Sequence, residues 1–267
     1  MKNVNDLGLF DDHFLLETLS KLGDPLQKLN EYIDWRIFES PLDQSFINEA
    51  KDLLKGGRPP FSKLVLFKAL IIQSLYNLSD DQLEFQIVDR ASFKRFLGLK
   101  KSDKVPDSKT FWSFREQLIE KDVIMGLFKI FNETLDAAGV FANEGKMVDA
   151  SFVGAPRQRN THEENKHIKE TGTAPPEWKV KPHKLAQKDV DARWTKKNNI
   201  TFYGYKNHVK ADTKTKLIEE YIVTDASVHD SQAMEHLLTE KDEGQPLYAD
   251  SAYIGKIRNR FTKRKKS

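Results

Sequence analysis

Apolar residues keep helical spacing through about the first 140 residues of this chain and then lose it. That change of period dictates a helical part followed by a part built on strands. In the first part, Leu15, Leu16, Leu19, Leu22 and Leu26 recur at helical spacing, and Ile33, Trp35 and Phe38 form a short aromatic segment ended by Pro41. Gly56-Gly57-Arg58-Pro59-Pro60 is a break, because glycine and proline together oppose any regular element. After it, Leu64, Phe67, Leu70, Ile71, Leu75 and Leu78 trace the inward face of a buried helix. Ser79 with Gln82 three residues on is a capping box that starts a helix bearing Leu83 and Ile87, since each can satisfy the other's free backbone amide. Gly98 closes the piece Ser92–Leu97. Pro106-Asp107-Ser108 opens a helix with Phe111, Phe114 and Leu118 on one face, and a last helix spans about Val123–Ala138.

Beyond Gly139 the sequence predicts strands at Lys146–Val153, Ile200–Ala211, Leu217–Thr224 and Pro246–Asp250, with a turn at Asp212–Lys216 and a short helix at Gln232–Leu238. Arg157–Asn199 has no periodicity, and the prolines Pro175, Pro176 and Pro182 lie in it. It reads as a long basic loop, of a length that is usually functional or disordered. The expected fold is α+β or α/β: an all-helical domain over about residues 1–140, then a mixed-sheet domain over 141–267 with the loop at about 156–199.

Composition excludes several classes. Without cysteine there are no disulfide frameworks and no thiolate zinc sites, which suits a reducing compartment. The longest apolar run, Leu64–Leu78, is broken by Lys68, Gln73 and Asn77, short of the roughly 18 apolar residues a membrane span needs. The opening MKNVNDLGLFDDHF carries acids where a signal peptide has an apolar block. The expected location is therefore cytoplasmic, with no membrane partner.

The net charge of +3 conceals two basic segments. Pro156–Lys216 carries 15 Lys/Arg against 7 Asp/Glu, and Lys256–Ser267 carries 7 Lys/Arg and no acid. Segregated positive charge suits a polyanion, most often nucleic acid, although a solvated loop and a frayed tail would give the same count.

Two acids stand out. Asp149 ends Met147-Val148-Asp149 and Asp250 ends Leu247-Tyr248-Ala249-Asp250, each followed by small residues. Carboxylates at the ends of adjacent strands can hold a hard divalent cation open to a substrate, and two such ions suit phosphodiester chemistry. Asp at a strand end is equally a turn former. Asp225 and Asp230 read as loop or helix-capping residues. His162 and His167 lack the spacing of a helical zinc pair. Lys206 and His208 share one face of a strand, on the rim of an acidic site or on a plain edge. Lys109, Trp112 and Arg115 lie near one side of a helix that could serve as the reading element of a trihelical unit; aromatics at such spacing are also commonly core.

GRPPFSKLVLFKALIIQSLYNLSDDQLEFQIVDRASFKRFLGL, VPDSKTFWSFREQL, MVDASFV, YGYKNHVKAD, IVTDASVHDSQ and YADSAYIG, in that order, resemble a bacterial insertion-sequence transposase of the aspartate-aspartate-glutamate class, insertion-sequence-five (InsH-like) type. Each motif alone is weak, and the ordered set spans roughly residues 10–255. The resemblance implies an RNase H-like catalytic domain that uses Mg2+ or Mn2+ to cleave the element's terminal inverted repeats and join them to target DNA. It further implies a homo-oligomeric complex and a nucleoid-associated protein. By it, Asp149 and Asp250 are the first two catalytic carboxylates and metal ligands. Arg58, Lys109, Arg115, Lys196, Lys197, Lys206 and His208 are the expected DNA contacts. The family's third carboxylate is a glutamate well downstream of the second aspartate, and no Asp or Glu follows Asp250 here. The expectation is a C-terminally truncated, catalytically incomplete copy with an incomplete sheet. The alternatives are one half of a transposase split over two reading frames, or a DNA-binding remnant that competes with the full enzyme.

Overall fold

The computed structural model describes residues 11–46, 60–155, 159–197 and 199–253. The chain divides into two compact units, Met1–Thr134 and Leu135–Ser267. Helices build the first, and a mixed sheet with helices builds the second, so the expected α+β class holds.

The helices of the first unit are α1 Asp11–Lys21, α2 Pro25–Tyr32, α3 Glu39–Ser45, α4 Lys63–Tyr76, α5 Asp80–Asp89, α6 Ala91–Leu97, α7 Ser108–Glu120 and α8 Val123–Ala137. Their limits follow local chemistry. The Ser79–Gln82 capping box starts α5, and the Asp107 carboxylate caps α7 by accepting from the Thr110 amide. Gly98 ends α6 with a left-handed φ of 73°. Leu26, Phe38, Leu42, Ile72, Leu83, Ile87, Phe93, Phe96, Phe111, Phe114 and Leu118 close the core.

Two expectations shift. The leucine repeat from Leu15 to Leu26 is not one helix: Gly23 turns the chain at φ +85°, and Asp24 with Pro25 starts a second helix. Leu22, in the turn between the two helices, is therefore 79% exposed. In α4 the buried face centres on Leu66, Ala69 and Ile72, while Leu64, Phe67, Leu70 and Ile71 pack only partly, as does Leu78 past the helix end, and Leu75 is exposed. That helix is apolar around most of its circumference, so spacing alone does not select a face.

In the second unit, β1 Lys146–Gly154 is followed by α9 His162–Thr171, α10 Pro176–Val180, α11 Pro182–Gln187, β2 Arg193–Lys197, β3 Ile200–Asp212, β4 Ile218–Asp225, α12 Asp230–Leu237 and β5 Leu247–Ala249. Among the described residues, five strands form one sheet in the order β2-β3-β1-β5, with β4 also paired to β3. β1 runs antiparallel to β3 and parallel to β5.

The segment read as a basic loop is folded. Thr161 and Glu164 form a capping box that starts α9, and β2 pairs with the start of β3. The Glu164 carboxylate organises the segment by accepting from Trp178 Nε1 at 3.0 Å and Lys188 Nζ at 2.9 Å and pairing with Lys184 at 3.1 Å. Burial would raise its pKa, but the Thr161 amide, Lys188, Lys184 and Trp178 outweigh burial and hold it at about 2. Polar residues and two proline-started single-turn helices hide this order from any test of periodicity.

Candidate active site

In the parallel pair β1–β5, Lys146 faces Leu247, Met147 faces Tyr248 and Val148 faces Ala249. The next residue on each side is an aspartate, Asp149 within β1 and Asp250 just past the end of β5, so the register brings the two close together. Neighbours in parallel register share a face, and both residues are exposed. One oxygen of each carboxylate is held locally. Asp149 Oδ1 accepts from the Ala150 amide at 2.7 Å. Asp250 Oδ1 accepts from the Ser251 amide at 2.6 Å and the Ser251 hydroxyl at 3.3 Å. Ala150, Ser151, Ser251 and Ala252 are small, so nothing bulky next to them in sequence crowds the carboxylates.

Hard, anionic, exposed oxygens at adjacent positions fit a divalent cation such as Mg2+ or Mn2+. They form a pair only: among the described residues no group of three His, Cys, Asp or Glu side chains could hold an ion together.

The opposite face of the sheet is covered and polar. Val148 packs with Met234, Leu237 and Tyr253 in a small apolar cluster. Beside it, β3 lines up Lys206, His208 and Lys210, all buried. Lys206 Nζ donates to Asp230 Oδ1 at 2.8 Å and to the Val228 carbonyl at 2.7 Å. Lys210 Nζ donates to Asp242 at 2.7 Å, and Lys146 pairs with Glu219. His208 sits between the Tyr253 hydroxyl at 2.9 Å and the Thr224 hydroxyl at 3.1 Å. Burial pushes its pKa down.

Lys206 and His208 thus share one face, as expected, but that face is the covered one rather than an open rim. Buried cations must be paired to persist, and Asp230, Asp242 and Glu219 supply the partners. Alternation along the strand shows which residues share a face; it does not show which face meets α12.

The other expected DNA contacts are scattered. Lys196 and Lys197 are exposed at the end of β2, and Lys109 is exposed on α7 beside Trp112, which is 55% exposed. Arg115, on the same helix, is half-buried; it pairs with Asp80 and donates to Gln73 Oε1 at 2.8 Å. Arg58 and the basic tail Lys256–Ser267 lie outside the described residues. The sequence reading passed over Tyr253, Thr224, Glu164 and Asp242. For Glu164 the signal was available in the Thr161-x-x-Glu164 pattern.

Residues 14–117 match a family model described as a transposase domain (DUF772), and residues 143–266 match one described as a transposase DDE domain. No solved structure matches the chain.

Proposed function

This chain belongs to the insertion-sequence transposases of the DDE class, and we propose on that premise that Asp149 and Asp250 are its ligands for a catalytic divalent ion. Transposases of this class bind DNA and use divalent metal ions. The finer reading is that the second unit applies such an ion to the phosphodiester at the element's terminal repeats.

The observation that carries this reading is the β1–β5 register, which brings two aspartates from distant parts of the chain to neighbouring positions on one exposed face. A divalent ion there would stabilise charge on the reacting phosphate oxygens and favour an attacking hydroxyl. Asp149 and Asp250 hold and orient that ion. The Ala150 and Ser251 amides fix one oxygen of each carboxylate, so less ordering remains when an ion binds. The exposed Lys196 and Lys197, the cations of α9 to α11, and Lys109 on α7 neutralise backbone phosphates, which sets affinity and register but not sequence preference. The insertion-sequence-five type and the assembly of more than one copy on the DNA belong to the same reading.

The experiment is binding of labelled terminal-repeat DNA by the chain in Mn2+ and in chelator, with Asp149→Asn and Asp250→Asn as variants. The reading requires that Mn2+ raise the affinity for repeat DNA and that either substitution abolish the increase. Strand nicking lost in both variants would extend the support to chemistry. Repeat binding indifferent to metal and to both substitutions would overturn the catalytic assignment and leave a DNA-binding competitor.

A further inference from the structure

Directly behind the two aspartates, a buried histidine and a buried tyrosine are joined by a hydrogen bond with a defined direction. Tyr253 closes the single 3-10 turn that follows Asp250, and its amide donates to the Asp250 carbonyl at 3.0 Å. Its ring is 2% exposed and meets the His208 ring edge-on, with centroids 6.0 Å apart. His208 is fully buried and paired in register with Ala150, the residue after Asp149.

The direction follows from counting protons. The Thr224 hydroxyl has one proton, which it donates to the Asp225 carbonyl at 3.1 Å. Toward His208 it must therefore accept, so Nε2 carries the imidazole hydrogen at that 3.1 Å contact. In a neutral ring Nδ1 is then a bare acceptor, and the Tyr253 hydroxyl donates to it at 2.9 Å. A chain of three oriented bonds runs from Tyr253 through His208 and Thr224 to the backbone at the end of β4.

β5 has only three residues, and its pairing with β1 stops at Ala249. Asp250 lies one residue past the last of those pairs. The side chain that ties its turn back to the sheet is Tyr253, and it ties it to β3. That strand is paired with β1 over the nine positions from Lys146 to Gly154, so the tie reaches Asp149 through a stiff ladder. We infer that His208 and Tyr253 are positioning residues, whose hydrogen bond sets the separation of the Asp149 and Asp250 carboxylates and thereby the affinity of the divalent site. This rests on the reading of those aspartates as ligands. Outer partners that orient ligands are typically worth about 10–100-fold in metal affinity.

The test is Mn2+ titration of the full chain, followed by loss of the free-ion electron paramagnetic resonance signal, with the linewidth of the bound ion and the melting temperature recorded on the same samples. Tyr253→Phe keeps the ring in the cluster and deletes the donor. Met234→Ala destabilises the same cluster without touching the bond. The expected result is a loss of about tenfold in affinity and a changed linewidth in Tyr253→Phe, with wild-type affinity in Met234→Ala at an equal or lower melting temperature. Should Tyr253→Phe fail to fold, Thr224→Val removes the partner of Nε2 with little change of shape, and a loss of about threefold is expected. Affinity within twofold of wild type in the folded donor variant, or an equal loss in Met234→Ala, overturns the inference. If Asp149→Asn and Asp250→Asn bind Mn2+ like wild type, the site reading falls and takes this inference with it. If they abolish binding while Tyr253→Phe leaves it unchanged, only the positioning role falls.

Discussion

Gly204 stands back to back with Val153: a Cβ on Gly204 would lie 2.1 Å from the Val153 carbonyl oxygen and 2.6 Å from the Ala155 amide nitrogen. Its φ of +148° is also one that L-residues rarely adopt. Both neighbours are backbone and cannot move aside without breaking the β1–β3 ladder. Gly204→Ala should therefore destabilise the second unit by about 2–4 kcal/mol. Gly154→Ala, where a Cβ meets nothing within 4 Å, should cost under about 1 kcal/mol. Thermal melts of the two variants check this, and equal melting temperatures would contradict it.

Arg115 and Lys109 should separate by what they do to stability. The Asp80 carboxyl is held below the usual range by its hydrogen bond from Arg115. Arg115→Ala removes that partner and should lower the stability of the helical unit by about 1 kcal/mol. Lys109 is exposed, so Lys109→Ala should leave the melt unchanged and weaken DNA binding. An unchanged melt in Arg115→Ala would show that the ion pair does not hold α7 to α5.

Acid should loosen the second unit through Glu164. Its folded pKa of about 2 lies below the value of about 4.3 expected in an unfolded chain. The unfolded state therefore takes up a proton first as pH falls. Stability from this carboxylate is complete above about pH 4.5 and declines toward about pH 2. Glu164→Gln should flatten the stability profile over that window, as read from urea melts at stepped pH. A slope identical to wild type would remove Glu164 as the organiser of the segment.

Much of the fold was legible because helix starts and stops are written in local chemistry. Ser79 with Gln82, Asp107 before Ser108, and Gly98 each mark a boundary that the structure places within a residue or two. The strands around Met147 and Tyr248 were legible as short apolar runs. What remained hidden depends on packing. Lys68 reads as an interruption of an apolar run, yet it points inward, with Nζ 2.9 Å from Asn30 Oδ1 and 4.5 Å above the Phe96 ring, and burial lowers its pKa to about 8. The pairing of Lys206, Lys210 and Lys146 with acids from α12, the Glu240–Asp242 turn and β4 joins residues far apart in sequence, and no period encodes it. That the strands bearing Met147 and Leu247 lie side by side was within reach of the sequence; only the residue-by-residue register, Val148 opposite Ala249, waited for the structure.

DNA affinity should fall with salt in proportion to the phosphates neutralised, with a log–log slope of roughly −0.9 per contact. Lys196→Ala and Lys197→Ala should each reduce the steepness by about one contact. Fluorescence titrations at several salt concentrations measure it. Slopes unchanged in both variants would show that the end of β2 does not touch the backbone.

The central claim is that one divalent ion is held by Asp149 and Asp250 together. Iron affinity cleavage reads this directly: Fe2+ bound at the site, with ascorbate and peroxide, generates hydroxyl radicals that cut the nearest backbone, and mass spectrometry locates the cuts. The account predicts paired cuts close to residues 149 and 250, suppressed by excess Mg2+ and lost in both Asp149→Asn and Asp250→Asn. Cuts at one strand only, or paired cuts that persist when either aspartate is replaced, would contradict it.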